Sequence, residues 1–213
     1  MYYLHTFPNA YIRYYTNDMI LHIDSNAAYL VATKSHSIVA GYFHPSDHPT
    51  ITKHPKLNDA IFVQCKTLRD VLFSSSKKKV AGIFNNERLG IPIRNILHAL
   101  HHPQPPTPIK TDSYTATGFK HDNIHQKSSK SWDMRYYWLR DHQTQKQFHF
   151  HWDKGTNNDA DYFTKHHATK FHILMINSYV QELVVFFIQR QTLTSFTTPS
   201  VSQGCVAPPM TSH

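Results

Sequence analysis

Apolar and polar positions along the chain follow two different periods, and the switches between them outline strands first and helices afterwards. Met19-Ile20-Leu21-His22-Ile23-Asp24 is a short run of strand formers and predicts a first, central strand. Ser37-Ile38-Val39-Ala40-Gly41-Tyr42-Phe43 predicts a second. A Pro-containing stretch over residues 44–57 separates it from a third, Ala60-Ile61-Phe62-Val63-Gln64-Cys65, and the three together predict an antiparallel meander.

The period then changes to that of helices. Ser74-Ser75-Ser76 offers an N-cap, and Val80, Ile83 and Phe84 recur at helical spacing, which predicts a helix over 76–88. Gly90 ends it in this reading. Pro92 suits the first turn of a second piece, in which Ile93, Ile96, Leu97 and Leu100 form an i, i+3, i+4, i+7 stripe assigned to the core. After the Pro-rich residues 103–108, Ile109-Lys110-Thr111-Asp112 predicts a fourth strand, and residues 114–120 a short helix. Residues 132–140 predict another helix, with Met134, Tyr137 and Trp138 on one face. In Phe148-His149-Phe150-His151-Trp152 aromatics alternate with histidines, the two-residue period of a half-buried strand, and a helix capped by Asn157 or Asn158 follows.

This order predicts an α/β fold with a five-stranded mixed sheet, three antiparallel strands plus two, flanked by helices. The expected domain covers residues 1–170. Residues 171–191 are expected to hold a C-terminal helix, and Thr192 to His213, rich in Ser, Thr and Pro with little to bury, a disordered tail. A length of 213 residues fits one such domain and a tail.

Charge adds a partner class. Lys and Arg number 22 against 14 Asp and Glu, for a net charge of +8 and a pI near 9.4, which favours a polyanion, although a merely basic surface explains it as well. The 18 histidines are scattered; only His98, His101 and His102, or His121 and His125, fall at helical spacing, too little to predict zinc. Cys65 and Cys205 outline no disulfide framework and fit a reducing compartment. Met1 to Arg13 holds no continuous apolar stretch, and the most apolar segment, Leu183 to Ile188, is too short to span a bilayer. A soluble cytoplasmic or nuclear chain without a membrane partner is expected.

Acidic residues at the ends of the first and fourth strands and on the last helix would meet at one edge of such a sheet. Clustered carboxylates of this kind bind paired Mg²⁺ ions that activate water for phosphodiester hydrolysis. The stretches RYYTNDMILHIDSNAAYL (13–30), VAGYF (39–43), RLGIPIRNILHALHHPQPPTPIKTDSYTATGF (88–119), SKSWDMRYYWLRD (129–141) and FHFHWDKGTNNDADYFTKHH (148–167) carry a more specific signal. Through them, residues 6 to 170 resemble the ribonuclease H domain at the C-terminal end of the copia-type retrotransposon polyprotein.

The resemblance implies a ribonuclease H-like fold, hydrolysis of the RNA strand of an RNA/DNA hybrid as the ancestral activity, and Mg²⁺ or Mn²⁺ held by four acidic residues. Asp112 matches the acid at the end of the fourth strand and Asp161 the acid in ADYFTK. The first acid falls on Asn26 and the second on Lys79. An amide removes charge that attracts the metal, and an ammonium about 4 Å from a divalent ion repels it by roughly 8 kcal/mol at an effective dielectric near 20. Lys79 is therefore expected to pair with Asp112 or Asp161 in place of metal. Asp24 lies two residues before Asn26, about 6.6 Å along a strand, so a local shift would be needed for it to substitute.

The expectation is a degenerate, inactive copy, binding Mg²⁺ or Mn²⁺ only if some of the site is retained. One alternative is a weak nuclease in which Asp24, Asp112 and Asp161 hold one ion. Another is a nucleic-acid-binding module without chemistry, with Lys77, Lys78, Lys120, Lys127, Lys130, Arg135 and Arg140 on the phosphates of an RNA/DNA hybrid or other nucleic acid. A solvated surface is the plain alternative for those basic residues. No Tyr-x-Asp-Asp motif occurs, so the reverse transcriptase portion of the parent polyprotein is expected to be absent, and the chain reads as a fragment or a decayed copy.

Overall fold

The computed structural model describes residues 10–12, 14–32, 35–48, 58–68, 75–114, 130–179 and 181–182. Its larger compact unit, Arg13–Met175, is built on a five-stranded sheet. In chain order the strands are β2 (Ile20–Ala32), β3 (His36–Ser46), β4 (Phe62–Thr67), β5 (Thr107–Thr111) and β6 (Phe148–Trp152). Side by side they run β4-β3-β2-β5-β6. β2 pairs antiparallel with β3, and β3 with β4; β5 runs parallel to β2, and β6 parallel to β5. Two antiparallel strand pairs plus two parallel ones match the expected mixed sheet, and the central strand is longer than its apolar run suggests.

Burial explains the extension. Ile20 to Ala27 are all buried, because β2 is covered on both faces and flanked on both edges. Alternation sends Leu21 and Ile23 to one face, where they meet Phe43, Ile109, Phe148 and Phe150 in the main core. Helix α1 (Ser75–Ala99) and helix α2 (Lys130–Thr144) contribute Val80, Ile83, Leu97 and Leu139 to that core. His22, Asp24 and Asn26 take the opposite face, with their register neighbours Tyr42, His44 and Lys110.

The two helical pieces separated at Gly90 and Pro92 are in fact one helix. Gly90 is a contact rather than a stop: a Cβ there would stand 2.6 Å from Ile23 Cδ1, so its absence lets the helix lie close to the sheet. Pro92 is carried inside the helix on an exposed position, its missing hydrogen bond outweighed by core packing on either side. The stripe beyond it is only half core. Leu97 is buried, whereas Ile96 and Leu100 are 60% and 61% exposed.

The face assigned to α2 is also corrected. Met134 and Tyr137 are exposed; Leu139 is fully buried, and Tyr136 and Trp138 pack beside it, the latter edge-on to Phe84. Asn86 ties α1 to the sheet through its Nδ2, which donates to Ser25 Oγ (2.8 Å) and the Ala40 carbonyl (2.9 Å). Gly41 makes room for it, since a Cβ at 41 would lie 2.5 Å from Asn86 Oδ1. The Pro-rich linker is anchored as well: Arg94 donates to the Gln104 and Pro105 carbonyls and to Thr107 Oγ1, and Gln104 bonds the backbone of Met19 and Leu21.

After β6 the chain makes two 3₁₀ turns, Gly155–Asn157 and Asp159–Thr164, where an α-helix was expected. Asn158 caps the second as anticipated, its side chain accepting from Ala160 N. Helix α3 (Thr169–Tyr179) begins before the expected 171. The smaller unit, residues 1–12 and 176–213, contains the antiparallel pair of β1 (Ala10–Tyr11) and β7 (Gln181–Glu182). All but Tyr114 of the predicted helix over 114–120, His121 and His125, residues 183–190 and the tail from 192 lie outside the described residues. No helix among the described residues is long and apolar enough to cross a membrane.

Candidate functional site

The parallel pairing of β2 with β5 sets the geometry of the site. Its last register pairs are Asp24 with Lys110 and Ser25 with Thr111, so the next positions, Asn26 and Asp112, come side by side at the sheet edge. The Asp159–Thr164 turn is held over β2 by Asn158, whose Nδ2 donates to the Ser25 carbonyl at 3.0 Å. That contact brings Asp161 to Asn26. The N-terminal turn of α1 supplies Lys79.

These four residues associate in pairs. Asn26 Nδ2 donates to Asp161 Oδ1 at 2.5 Å and to Thr164 Oγ1 at 3.1 Å, while its Oδ1 accepts from Ala27 N. Lys79 forms an ion pair with Asp112, both side chains being about one-fifth exposed. Lys165 pairs with the other oxygen of Asp161 at 2.6 Å. The Trp152 indole N–H donates to the Asp112 carbonyl, 3.2 Å away. Two carboxylates thus face two ammonium groups and an amide, and the cluster carries no net charge. Among the described residues no group of three or more His, Cys, Asp or Glu stands in an arrangement that could hold a metal ion.

Asp24 is spent elsewhere. It is 2% exposed, its Oδ2 takes Lys110 Nζ at 2.7 Å, and it also accepts from Asp159 N at 3.1 Å. Lys110 Nζ donates in addition to the Asn157 carbonyl at 2.6 Å. Burial pushes the Asp24 and Asp159 carboxyls above the ordinary carboxylate range, with Lys110 pulling against it in both. On the same face, burial lowers His22 and His151 to about 4 and His44 to about 3, so these imidazoles are neutral at pH 7.

The basic residues nominated for phosphate binding divide three ways. Lys78 is a correction: it is fully buried, its ammonium 3.6 Å from the centre of the Tyr29 ring, and burial lowers it to about 8. Lys77, Arg135 and Arg140 are half-buried, and the Arg135 guanidinium lies 5.7 Å from the Phe84 ring. Lys130 opens α2, and Lys120 and Lys127 lie outside the described residues.

Lys110, Lys165, Asp159 and the histidines of β2, β3 and β6 were not singled out from sequence. A signal existed for Lys110 and His151, since both sit at polar positions of alternating strands on the face of Asp24. For Lys165, four residues after Asp161, helical spacing was the available cue.

No family model matches the chain, and no curated protein does. Among solved structures it is similar to the N-terminal ribonuclease H domain of a Mycobacterium tuberculosis protein, solved as a fusion with maltose-binding protein. Identity there is 10%, the TM-score 0.44, and the match covers 68% of this chain and 91% of that one. It is similar to LC11-RNase H1 in complex with an RNA/DNA hybrid at 9% identity and a TM-score of 0.44, with the same coverage. The Prototype Foamy Virus protease-reverse transcriptase matches at 11% identity and a TM-score of 0.42, over 68% of this chain and 20% of that much longer one. The ribonuclease H-like fold of this chain rests on its strand order and directions, not on those identities.

Proposed function

We propose that this chain is a ribonuclease H-like domain descended from a copia-type retrotransposon polyprotein, and that it no longer hydrolyses RNA in RNA/DNA hybrids. The observation that carries this reading is the pairing of Lys79 with Asp112 beside that of Asn26 with Asp161. Hydrolysis in the resembled family needs Mg²⁺ or Mn²⁺, which are hard cations that take oxygen ligands and anionic charge. Here Asn26 points its N–H groups at Asp161, and both surviving carboxylates are already neutralised by lysines, so the residues present do not fit a pair of such ions. The weak one-ion alternative through Asp24 is not favoured, because Lys110 holds that carboxylate within a buried ion pair.

What the lineage leaves is a basic domain, of net charge +8, whose partner class is a nucleic acid, with the RNA/DNA hybrid as the ancestral one. Its affinity for hybrid is expected to fall steeply with salt if several phosphates are contacted. The chemical reading is tested by incubating the purified chain with an RNA/DNA hybrid and Mg²⁺ or Mn²⁺. Wild type and Asp112→Asn are expected to be equally inert, and cleavage that Asp112→Asn abolishes would overturn the proposal. The double variant Asn26→Asp with Lys79→Glu, which rebuilds four carboxylates, is expected to acquire Mg²⁺ binding by calorimetry that the wild type lacks.

A further inference from the structure

One edge of the sheet has no strand beside it among the described residues. β4 stands at the end of the strand order and pairs with β3 alone. Every position of β4 except Gln64 is exposed, and the apolar Ile61, Phe62 and Val63 are 42%, 41% and 40% exposed. Edges of this kind are ordinarily guarded by proline, a bulge or several charges, because their open backbone recruits another strand. β4 has no proline, no break in its register with β3, and one charge, Lys66.

Hydrogen-bond alternation tells which backbone groups are open. Leu68 N donates to the Ser37 carbonyl at 2.7 Å, continuing the register that sets Lys66 against Val39 and Gln64 against Gly41. In an antiparallel ladder alternate residues exchange bonds with a given neighbour, so Phe62, Gln64 and Lys66 spend theirs on β3. Val63, Cys65 and Thr67 therefore turn their N–H and C=O groups outward. The three are spaced evenly about Cys65, so a second β4 running antiparallel presents the same set in matching order. Cys65 meets Cys65, and Val63 meets Thr67 twice. Lys66 then falls opposite Gln64 and not opposite another lysine. A register shifted by two residues would leave one of the three outward residues without a partner in β4.

We propose that two copies of this chain associate through β4, strand against antiparallel strand about a two-fold axis at Cys65, joining their sheets into one. A second copy suits this edge because its open backbone is its own complement, and a two-fold contact consumes both free edges at once. Val63 and Thr67, both β-branched, face each other across the seam, a favourable cross-strand pair. The contact does not depend on the hydrolytic reading and stands whether or not hybrid is cleaved.

The test measures the mass of the full chain by light scattering across a concentration series. A seam this short is at the small end of specific interfaces, so a dimer with a dissociation constant on the order of 10 µM is expected. Val63→Pro deletes an outward N–H that the ladder to β3 does not use, and by symmetry takes two bonds from the seam. It is expected to raise the dissociation constant at least about tenfold while leaving the urea midpoint of the monomer unchanged. Should that variant not fold, Thr67→Pro makes the same deletion at the other end of the strand. In a Cys205→Ser background a short bis-maleimide is expected to link Cys65 to Cys65, whose Cα atoms in this register stand about 5.5 Å apart. Directly opposed residues share a face, so both thiols lie on the side where each donates to the Phe163 carbonyl of its own copy. Salt is expected to tighten the dimer, since each copy carries +8, and to loosen hybrid binding, which separates the two associations. A monomeric mass about tenfold above the expected constant, a dimer that neither proline variant weakens, or one without a Cys65 cross-link overturns the proposal.

Discussion

The two faces of the central strand are equally buried and chemically opposite. Ile23 is 0% exposed and Asp24 2%, one residue apart on β2. Toward α1 and α2, Leu21 and Ile23 join a close-packed apolar core in which volume decides what fits. Toward the other side, Asp24 and Asn26 join polar groups whose charges must be matched one by one: Asp24 with Lys110, Asn26 with Asp161, and at the same edge Lys79 with Asp112. The candidate site thus lies where lysines and an amide pair with the carboxylates. The helix side holds polar contacts as well, among them the Asn86–Ser25 bond and the Glu87–His142 contact at 2.7 Å between α1 and α2.

The contrast can be probed most strongly through volume. Phe148→Ala, at a residue 1% exposed in the core, is expected to cost about 3–5 kcal/mol in urea unfolding. A loss below about 1 kcal/mol would mean that the helix side is not tightly packed. On the polar side, Lys110→Met leaves the Asp24 carboxyl buried without its cation and is expected to cost about 3 kcal/mol at pH 8. The loss should be smaller at pH 5. Burial holds the folded carboxyl above its unfolded value, so its contribution is full below that unfolded value and fades as pH rises through the folded one; removing Lys110 raises the folded value further. Equal losses at both pH values would mean that Asp24 stays ionised without Lys110.

The smallest expected effect concerns the Glu87–His142 contact. Burial raises Glu87 to about 9 and lowers His142, so both shifts favour a neutral carboxyl donating to His142 Nδ1. A raised carboxyl stabilises fully below about 4.5 and loses that contribution as pH climbs toward 9. Glu87→Gln keeps a donor for Nδ1 and is expected to gain on the order of 1 kcal/mol at pH 8 and nothing at pH 4. A destabilised variant at pH 8 would show instead that the carboxylate is ionised and paired with imidazolium.

Periodicity made much of this architecture readable. Phe148–Trp152 forms the strand that its alternation announces, and Asn158 caps the turn after it. Gly90 and Pro92 misled because their local preference to stop a helix was overruled by the fit of Gly90 against Ile23. Met134 and Tyr137 misled because an apolar side chain on a helix does not say which side the sheet will cover. The pairing of Asn26 with Asp161 joins residues 135 positions apart, and no local pattern specifies it.

Local backbone preference and side-chain alternation are properties of neighbouring residues, and they already outline the strands of the sheet, where helical stretches lie and the apolar face of β2, though not how far α1 runs or which face α2 buries. Charge matching is not local. That Lys79 meets Asp112, that Lys110 takes Asp24 rather than leaving it beside Asn26, and that Lys78 is buried against Tyr29 follow from the parallel register of β2 with β5 and the packing of α1 on the sheet. Electrostatic partners are chosen by distance and burial, which exist once the chain has closed on itself.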